Sequence, residues 1–178
     1  MQIRETSETD IARLAAVERA SAELFRNTHL EWAIEDEPLA PAAHRRAIEQ
    51  GTHWIAVEGE AIAGFCCAHA MARTLYIDEL AVAMDYQRRG VGRRLMETAI
   101  AAARGSFPAV SLITDRKLPW NRPFYESLGF KEWRDPEAGL RAELAEEEAD
   151  GFDMATRVAM ILRLNTDFPL GKKSSPRT

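Results

Sequence analysis

The segment 87–92, which reads Gln-Arg-Arg-Gly-Val-Gly, most constrains what this chain can fold into. It lies where a strand-like apolar run, residues 75–84, gives way to a helix-like run, residues 92–104. Glycines let a ligand approach the backbone closely, and successive N–H groups beside a helix N-terminus bind phosphate without a lysine. The segment therefore predicts a phosphate or pyrophosphate loop, although ordinary strand-to-helix turns share the pattern.

Two common phosphate-binding motifs do not fit this segment. A P-loop needs GxxxxGK followed by Ser or Thr, and the chain contains no such string. The dinucleotide fingerprint GxGxxG also fails, because Arg94 and Leu95 follow Gly92 without a third glycine. The loop is therefore predicted to hold pyrophosphate in another way.

Length and charge exclude several classes of protein. The chain has 178 residues and a net charge of −5, so we expect a single domain over residues 1–164 and no field that recruits nucleic acid or anionic membrane. The N-terminus has no signal-like apolar core, and no apolar stretch approaches about 18 residues, so we expect a cytoplasmic location. The polar tail, residues 165–178, is expected to be flexible.

Apolar periodicity and turn residues predict short strands and helices in one continuous series. Strands are expected near Ile3 and at residues 53–58, 61–71, 74–84, 108–114, 130–134 and 155–164. Helices are expected from Thr9 or Asp10 to Phe25, at residues 41–50, from Val91 onward and at residues 122–128. The acidic run 143–150 is expected to be a solvated helix or loop.

A second motif, Pro-Trp-Asn-Arg-Pro-Phe-Tyr-Glu-Ser-Leu-Gly-Phe, occupies residues 119–130. Pro123 fits only a first helical turn, so a short helix is expected to begin near Asn121, a good N-cap residue. Asn121 and Tyr125 are four residues apart and therefore lie on one face of this helix. Phe124 lies on another face.

Together the two motifs resemble those of the Gcn5-related N-acetyltransferase (GNAT) superfamily. The acyl-CoA loop of that family, Q or R followed by xxGxG or xxGxA, is matched by Gln87, Gly90 and Gly92. Its following segment, NxxxxFYxxxGF in many members, is matched loosely by Asn121, Phe124, Tyr125, Gly129 and Phe130. The order and separation of the two motifs are also those of the family.

The resemblance implies an α/β (α+β) fold, a three-layer sandwich around a mixed, mostly antiparallel sheet. This sheet splays open between its fourth and fifth strands, here residues 75–84 and 108–114, and acyl-CoA lies in the gap. The implied activity is transfer of an acetyl group from acetyl-CoA to a primary amine of a small molecule or protein, by direct attack in a ternary complex. A catalytically silent acyl-CoA-binding sensor or interaction module is the alternative. Related folds often dimerise, so a homodimer stays open.

Two residues match positions that carry the chemistry in this family. Tyr125 is expected to protonate the departing thiolate, with an aromatic ring packed under the CoA as the alternative. Glu79 is expected to remove a proton from the amine, and Asp78 is its rival. Since strand residues alternate between faces, only one of the two carboxylates should face the cleft unless a β-bulge changes the register.

The remaining site residues are expected to bind acetyl-CoA. Backbone groups of residues 80–82 would meet the pantetheine and the acyl carbonyl, and the amides of residues 88–93 would meet the pyrophosphate. Asn121 either hydrogen-bonds the pantetheine or caps its helix. The full cofactor set is Leu80, Ala81, Val82, Gln87, Arg88, Arg89, Gly90, Val91, Gly92, Arg93, Asn121 and Phe124.

Other chemistries are disfavoured by spacing. The 4 histidines show no metal-binding spacing, and the cysteines do not complete one, so no metal is expected. Cys66 and Cys67 are adjacent in a strand, point to opposite faces and are expected to be buried reduced thiols. The acidic run 35–37 lies where this family often walls its acceptor pocket, and it either attracts an amine or is a plain surface loop. The sequence does not identify the acceptor.

Overall fold

The structure, a computed structural model that describes residues 1–164, is built on one mixed seven-stranded sheet with the order β1-β2-β3-β4-β5-β7-β6. The tail predicted to be flexible, residues 165–178, lies outside the described residues. The strands are β1 (Gln2–Glu5), β2 (His53–Glu58), β3 (Ala61–Ala70), β4 (Thr74–Val82), β5 (Ala109–Asp115), β6 (Lys131–Glu132) and β7 (Arg157–Arg163). The helices are α1 (Ile11–Ala22), α2 (Pro41–Glu49), α3 (Val91–Ala103), α4 (Asn121–Ser127) and α5 (Ala138–Ala149).

Some local predictions were wrong in detail. The Asp10 side chain does not cap α1, because its carboxylate accepts hydrogen bonds from the Arg4 guanidinium at 2.8 and 2.9 Å and from the Ser7 N–H at 2.9 Å. The strand predicted at 130–134 pairs only over Lys131–Glu132. The acidic run 143–150, expected to be a solvated helix or loop, is helical as far as Ala149, within α5. Among the helices of residues 1–164, none has the length and apolarity needed to cross a membrane.

Helices cover both faces of the sheet, which gives the three layers predicted. The α3 face contains the larger buried cluster, in which Leu95 and Met96 pack on Ile77 and Leu112 of the central strands. On the opposite face, residues of α1 and α2 pack on the other side of β2, β3 and β4, namely Leu14, Val17, Ala47, Ile55, Phe65 and Ala81. The buried stripe of α3 follows the helical period, as an amphipathic helix on a sheet requires.

The sheet opens between β4 and β5, as the resemblance implied. These two strands are parallel and pair only from Thr74 to Tyr76 on β4, opposite Ala109 to Ser111 on β5. At the paired end, the buried hydroxyls of Thr74 and Ser111 lie 2.7 Å apart and share a hydrogen bond. β5 then continues against β7 and β4 continues against β3, so a gap forms between them.

A β-bulge in β4 decides which way its acidic residues point. Glu79 pairs with Cys67 and Ile77 pairs with the next residue of β3, Ala68, so Asp78 is the extra residue. An extra residue shifts the alternation of side chains by one position. Consequently Leu80 continues the face of Ile77, toward α3, whereas Glu79 turns away from that face.

A glycine lets β3 and β4 approach each other closely beside the opening. A Cβ at Gly64 would lie 2.6 Å from the Ala81 carbonyl oxygen and 3.2 Å from Val82 Cα, both backbone atoms. We expect Gly64→Ala to lower the free energy of unfolding by about 1–3 kcal/mol, the usual cost of overpacking. Denaturant unfolding measures this loss.

Gly92→Ala is the matched control, because its Cβ would meet no atom closer than 3.6 Å and alanine is favoured over glycine in a helix by about 1 kcal/mol. We expect this control to be as stable as the parent or more stable. A Gly64→Ala variant that unfolds at the parent's denaturant concentration would contradict the close approach of the two strands.

Candidate active site

A cavity of about 360 Å³ lies where β4 and β5 part. Its walls come from α1, β4, α4, the start of β7 and the segment between α1 and α2. The lining residues include Glu18, Ser21, Asp78, Glu79, Asn121, Tyr125 and Arg157. The residues expected to act as base and acid therefore share one cavity.

The carboxyl group of Glu79 is desolvated in this cavity. Burial is the largest cause of its altered acidity, and with the negative charges of Glu18 and Asp78 it raises the pKa of Glu79 to about 8. The Leu80 N–H and the positive charge of Arg157 oppose this rise. A carboxyl group with such a pKa exchanges protons with an amine near neutral pH.

Tyr125 lies on α4 and faces the same cavity. Its ring packs edge-on against Phe124 and Phe130, with centroids 5.0 and 6.0 Å away. Burial, and after it the charge of Glu79, raises the pKa of the Tyr125 phenol. The phenol therefore stays protonated near neutral pH and is available as a proton donor.

Alternation along a regular strand would let only one of Asp78 and Glu79 face the cleft. With the β-bulge, both residues line the cavity. Asp78 is already engaged, since its Oδ1 lies 2.8 Å from His69 Nδ1. This hydrogen bond raises the pKa of His69, which favours the charged imidazolium as the partner of Asp78. Glu79 has no such cationic neighbour on β3.

The glycine loop presents free amides at the start of α3. Arg88 and Gly90 have left-handed backbone angles, with φ of 55° and 79°, and the first helical hydrogen bond runs from Arg94 N to the Gly90 carbonyl at 3.1 Å. Within residues 1–164, the N–H groups of residues 88–93 have no acceptor. Successive free amides at a helix N-terminus suit a pyrophosphate.

The side chains of this loop mostly hold it in place. Gln87 Nε2 donates to the Val82 carbonyl at 2.9 Å, which ties the loop to the end of β4. Arg89 pairs with Glu58 at 2.9 Å, and Arg93 donates to Ser127 Oγ at 2.6 Å. The side chains of Gln87, Arg89 and Arg93 are therefore engaged with other parts of the protein.

Residues 80–82 lie at the opened edge of β4. Leu80 and Val82 pack toward α3, where they and Phe124 lie 3.6 to 3.8 Å from the position of a Cβ on Gly92. The Val82 N–H donates to Ser21 Oγ on α1 at 3.2 Å instead of to a strand. Ala81 is buried on the α1 face.

Asn121 does not cap its helix. Trp120 occupies the N-cap position, no side chain makes a capping hydrogen bond there, and Asn121 is the first helical residue. Its side chain lines the cavity one turn from Tyr125. Of the two expected roles, the position therefore favours contact with a ligand.

Sequence reasoning missed Glu18, which lines the cavity from α1. Both of its carboxylate oxygens accept the Leu39 N–H, at 3.0 and 3.1 Å, and burial raises its pKa. A signal was present, because Glu18 follows Ile11 and Leu14 at the spacing of a buried helical stripe. A charged residue on such a stripe is a candidate site residue.

Two contacts hold the outer walls of the cavity. The ring of Trp32 packs edge-on against Phe152, with centroids 5.0 Å apart, and so joins the turn after α1 to the segment before β7. His29 Nε2 lies 2.8 Å from Asp115 Oδ2, at the fully buried end of β5. The acidic residues 35–37 are exposed, and of these Asp36 and Glu37 line the cavity mouth.

The cysteines are free and buried, as predicted, and burial raises the pKa of both thiols. A cluster that sequence spacing did not reveal joins Cys67 to His44 and His53, whose potential ligand atoms lie within 4.8 Å of one another. His53 Nδ1 lies 2.8 Å from Thr6 Oγ1, and its Nε2 lies 2.8 Å from His44 Nδ1. Both nitrogens of His53 are therefore engaged in hydrogen bonds in the core.

The opened edge of β4 and the free amides at the start of α3 lie where the resemblance places an acyl-CoA. This arrangement is the one expected of an acyl-CoA-dependent acyltransferase. The sequence profile of the acetyltransferase (GNAT) family matches residues 16–130. The chain belongs to this family, and the family and fold expected from the two motifs are confirmed.

Individual relatives agree with this assignment. The N-alpha-acetyltransferase RimI of Mycobacterium tuberculosis is 27% identical over 132 residues, which are 71% of this chain and 82% of that protein. The PaiA N-acetyltransferase of Thermoplasma acidophilum, solved with coenzyme A, has a TM-score of 0.65 at 17% identity over 92% of this chain and 98% of its own. N-acetylglutamate synthase of Neisseria gonorrhoeae, solved with coenzyme A and N-acetyl-glutamate, has a TM-score of 0.70 at 20% identity over 93% of this chain and 35% of its own. These structural likenesses show the fold.

The free amides of the loop depend on the left-handed angle of Gly90. A Cβ there would meet no atom within 4 Å, so Gly90→Ala costs only backbone strain, about 1–2 kcal/mol. We expect this variant to bind acetyl-CoA at least about tenfold more weakly, because the strain is relieved by moving the amides. Calorimetric titration with acetyl-CoA measures the change.

Gly105→Ala is the control, because Gly105 has a φ of 84° and equally open space but lies after α3, away from the loop. We expect the same loss of stability in this variant with unchanged acetyl-CoA affinity. Equal affinities in the two variants would show that the loop does not bind the donor.

Proposed function

We propose that this chain transfers an acetyl group from acetyl-CoA to a primary amine of a small molecule or protein, by direct attack in a ternary complex. The observation that carries the proposal is the placement of Glu79 and Tyr125 in one cavity at the opened edge of β4. The name of the relative RimI, an N-alpha-acetyltransferase, supports an amine as acceptor. The coenzyme A in the PaiA structure supports the donor.

The donor would lie along the opened edge of β4. The free amides of residues 88–93 would bind its pyrophosphate, and backbone groups of residues 80–82 would meet the pantetheine and the acyl carbonyl. Asn121 would hydrogen-bond the pantetheine, and Phe124 would pack beside it. The Val82 N–H donates to the side-chain hydroxyl of Ser21, so a ligand would replace this acceptor without breaking a hydrogen bond of the sheet.

The acceptor must lose a proton before it attacks. An ammonium ion transfers one proton to the Glu79 carboxylate, which leaves a neutral amine with a free electron pair. That pair forms the new C–N bond to the thioester carbonyl carbon, and negative charge develops on the carbonyl oxygen, where a backbone N–H of β4 would stabilise it. A pKa of about 8 suits Glu79 to this transfer near neutral pH.

The tetrahedral intermediate collapses when the C–S bond breaks. The thiolate of CoA takes a proton from the Tyr125 phenol, and the phenolate then regains the second proton that the attacking nitrogen releases. The net products are an amide, CoA as its thiol and one proton, which leaves through Glu79. Glu79 and Tyr125 thus each return to their starting state.

A covalent acetyl-enzyme is disfavoured by the position of the thiols. Cys66 and Cys67 are buried, and their raised pKa keeps both as neutral thiols. Neither lines the cavity, so neither meets a thioester bound there. Direct transfer in a ternary complex needs no nucleophile from the protein.

A panel of primary amines and peptides, assayed for CoA thiol release, tests the activity. We expect acetyl-CoA to raise the melting temperature and at least one amine to give CoA release above hydrolysis. Thermal protection by acetyl-CoA without CoA release from any amine would favour a silent sensor instead.

We expect Tyr125→Phe to lower kcat by about tenfold to a thousandfold while the Kd for acetyl-CoA stays close to that of the parent, because the phenyl ring keeps the packing and loses only the proton. Steady-state kinetics and calorimetry give the two values. Phe124→Leu is the control for ring packing, and it should change acetyl-CoA affinity more than kcat. Parent-like kcat in Tyr125→Phe would remove Tyr125 from the role of acid.

The role of Glu79 as base predicts how kcat/KM depends on pH. Glu79 must be ionised to accept a proton, so kcat/KM should rise with pH up to the pKa of about 8 and level off above it. Glu79→Gln should abolish this rise, which is the acid limb of the pH profile, and should lower kcat/KM. Asp78→Asn should keep the limb but move it to lower pH, because the negative charge of Asp78 helps to raise the pKa of Glu79. An unchanged limb in Glu79→Gln and a lost limb in Asp78→Asn would transfer the role to Asp78.

A further inference from the structure

The cavity holds more negative than positive side chains. The carboxylates are Glu18, Asp36, Glu37, Asp78, Glu79 and Glu147, and the cations are Arg19 and Arg157. Desolvated carboxylates without cations are unfavourable unless they are protonated or a ligand neutralises them. The net charge of the cavity therefore constrains the charge of the ligand that binds there.

Most of these groups already have partners. Arg157 forms a bidentate pair with Glu147 at 2.5 and 2.8 Å and lies 4.7 Å from the centre of the Phe152 ring. Arg19 lies 3.7 Å from Glu37 at the exposed mouth. Arg157 is thus committed to the wall and is not free to bind an anion.

Glu18 and Glu79 are the two carboxylates left inside the cavity without a cation in hydrogen-bond range among residues 1–164. Glu18 accepts only a neutral N–H, that of Leu39. The groups that favour the charged form of Glu79 are the Leu80 N–H and, after it, the positive charge of Arg157, which Glu147 already binds. The two lie close enough for the charge of Glu18 to raise the pKa of Glu79.

We infer that the acceptor is a cationic amine with no carboxylate next to the reacting nitrogen, and that its ammonium group binds at the carboxylates of Glu18 and Glu79. The inference rests on the proposed function and names the substrate class of that site. Glu18 is then a specificity-determining residue, which binds the ammonium but takes no proton in the reaction. Ammonium binding also keeps Glu79 ionised until the proton is transferred.

An acceptor with an adjacent carboxylate is excluded by like charge. The carboxylate of a free α-amino acid lies two bonds from the amine nitrogen, so it would enter the same site and face Glu18 and Glu79 without a free arginine to receive it. A structural neighbour from Neisseria gonorrhoeae was solved with N-acetyl-glutamate, which carries such a carboxylate. The charges of the present cavity predict the opposite preference.

Matched amines test this preference. Each pair shares a side chain and differs by the carboxylate: L-alaninamide and L-alanine, tyramine and tyrosine, agmatine and arginine. We expect CoA release with the carboxylate-free member of a pair at a kcat/KM at least about tenfold above its partner, because repulsion acts in a desolvated site.

Glu18→Gln tests the residue. A glutamine oxygen still accepts the Leu39 N–H, so the melting temperature should hold, while KM for the amine should rise about tenfold and the preference within each pair should narrow by a similar factor. The acid limb of kcat/KM should also move to lower pH, because a negative charge near Glu79 is lost. The other ionisable groups that face Glu79 are unchanged in this variant: Asp78 on its own strand, Cys66 and Cys67 on β3, Tyr125 on α4 and Arg157 on β7.

Glu49→Gln is the control, because it makes the same change in net charge at an exposed residue of α2 that does not line the cavity. We expect parent-like KM, preference and pH profile in this control. A free amino acid acetylated as efficiently as its carboxylate-free partner overturns the substrate class. A Glu18→Gln variant with unchanged KM, preference and pH limb overturns the role of Glu18. CoA release with none of the amines, while acetyl-CoA still binds, contradicts the proposed function, and the acceptor class fails with it.

Discussion

The parting of β4 and β5 is the constraint on which the rest of this structure depends. The two strands pair for only three residues each, yet neither is left without support, because β4 keeps β3 and β5 keeps β7 as full-length neighbours. Unpaired backbone groups at the opened edge would be costly if buried. Ser21 on α1 and Gln87 in the glycine loop bind the N–H and carbonyl of Val82, so side chains satisfy this residue of the edge without a further strand.

The opening also sets the acidity of the site. With the bulge at Asp78, Leu80 points to the α3 core and Glu79 turns into the gap, where protein walls replace water. A carboxyl group in that position has a raised pKa because water is lost and because Glu18 adds negative charge. The positive charge that opposes this rise is that of Arg157, which Glu147 already binds. One backbone irregularity thus converts an ordinary strand glutamate into a candidate base.

The sequence predicted the parts of this site that are local in the chain. The glycine loop, the following helix and the burial of the adjacent cysteines follow from backbone restrictions and side-chain alternation within short segments, whereas the opening of the sheet was implied by the resemblance of the two motifs to the family. The bulge was not predictable, because alternation fixes a face only while the register is unbroken. Likewise Glu18 shares a cavity with Glu79, and His44 contacts His53, through the packing of α1 and α2 on the sheet, which no short sequence spacing predicts.

This difference explains why the donor is easier to infer than the acceptor. The proposed donor site consists of backbone amides, which require a particular chain path, including left-handed angles at Arg88 and Gly90 that cost about 1 kcal/mol or more at a non-glycine residue. Such a path leaves a glycine pattern that is visible in the sequence. The proposed acceptor site consists of side chains from α1, the segment after it and the region before β7, where a change of side-chain charge alters the cavity without requiring a particular chain path. Relatives that share 27% identity or less therefore leave the acceptor open, and it has to be inferred from the carboxylates of this chain.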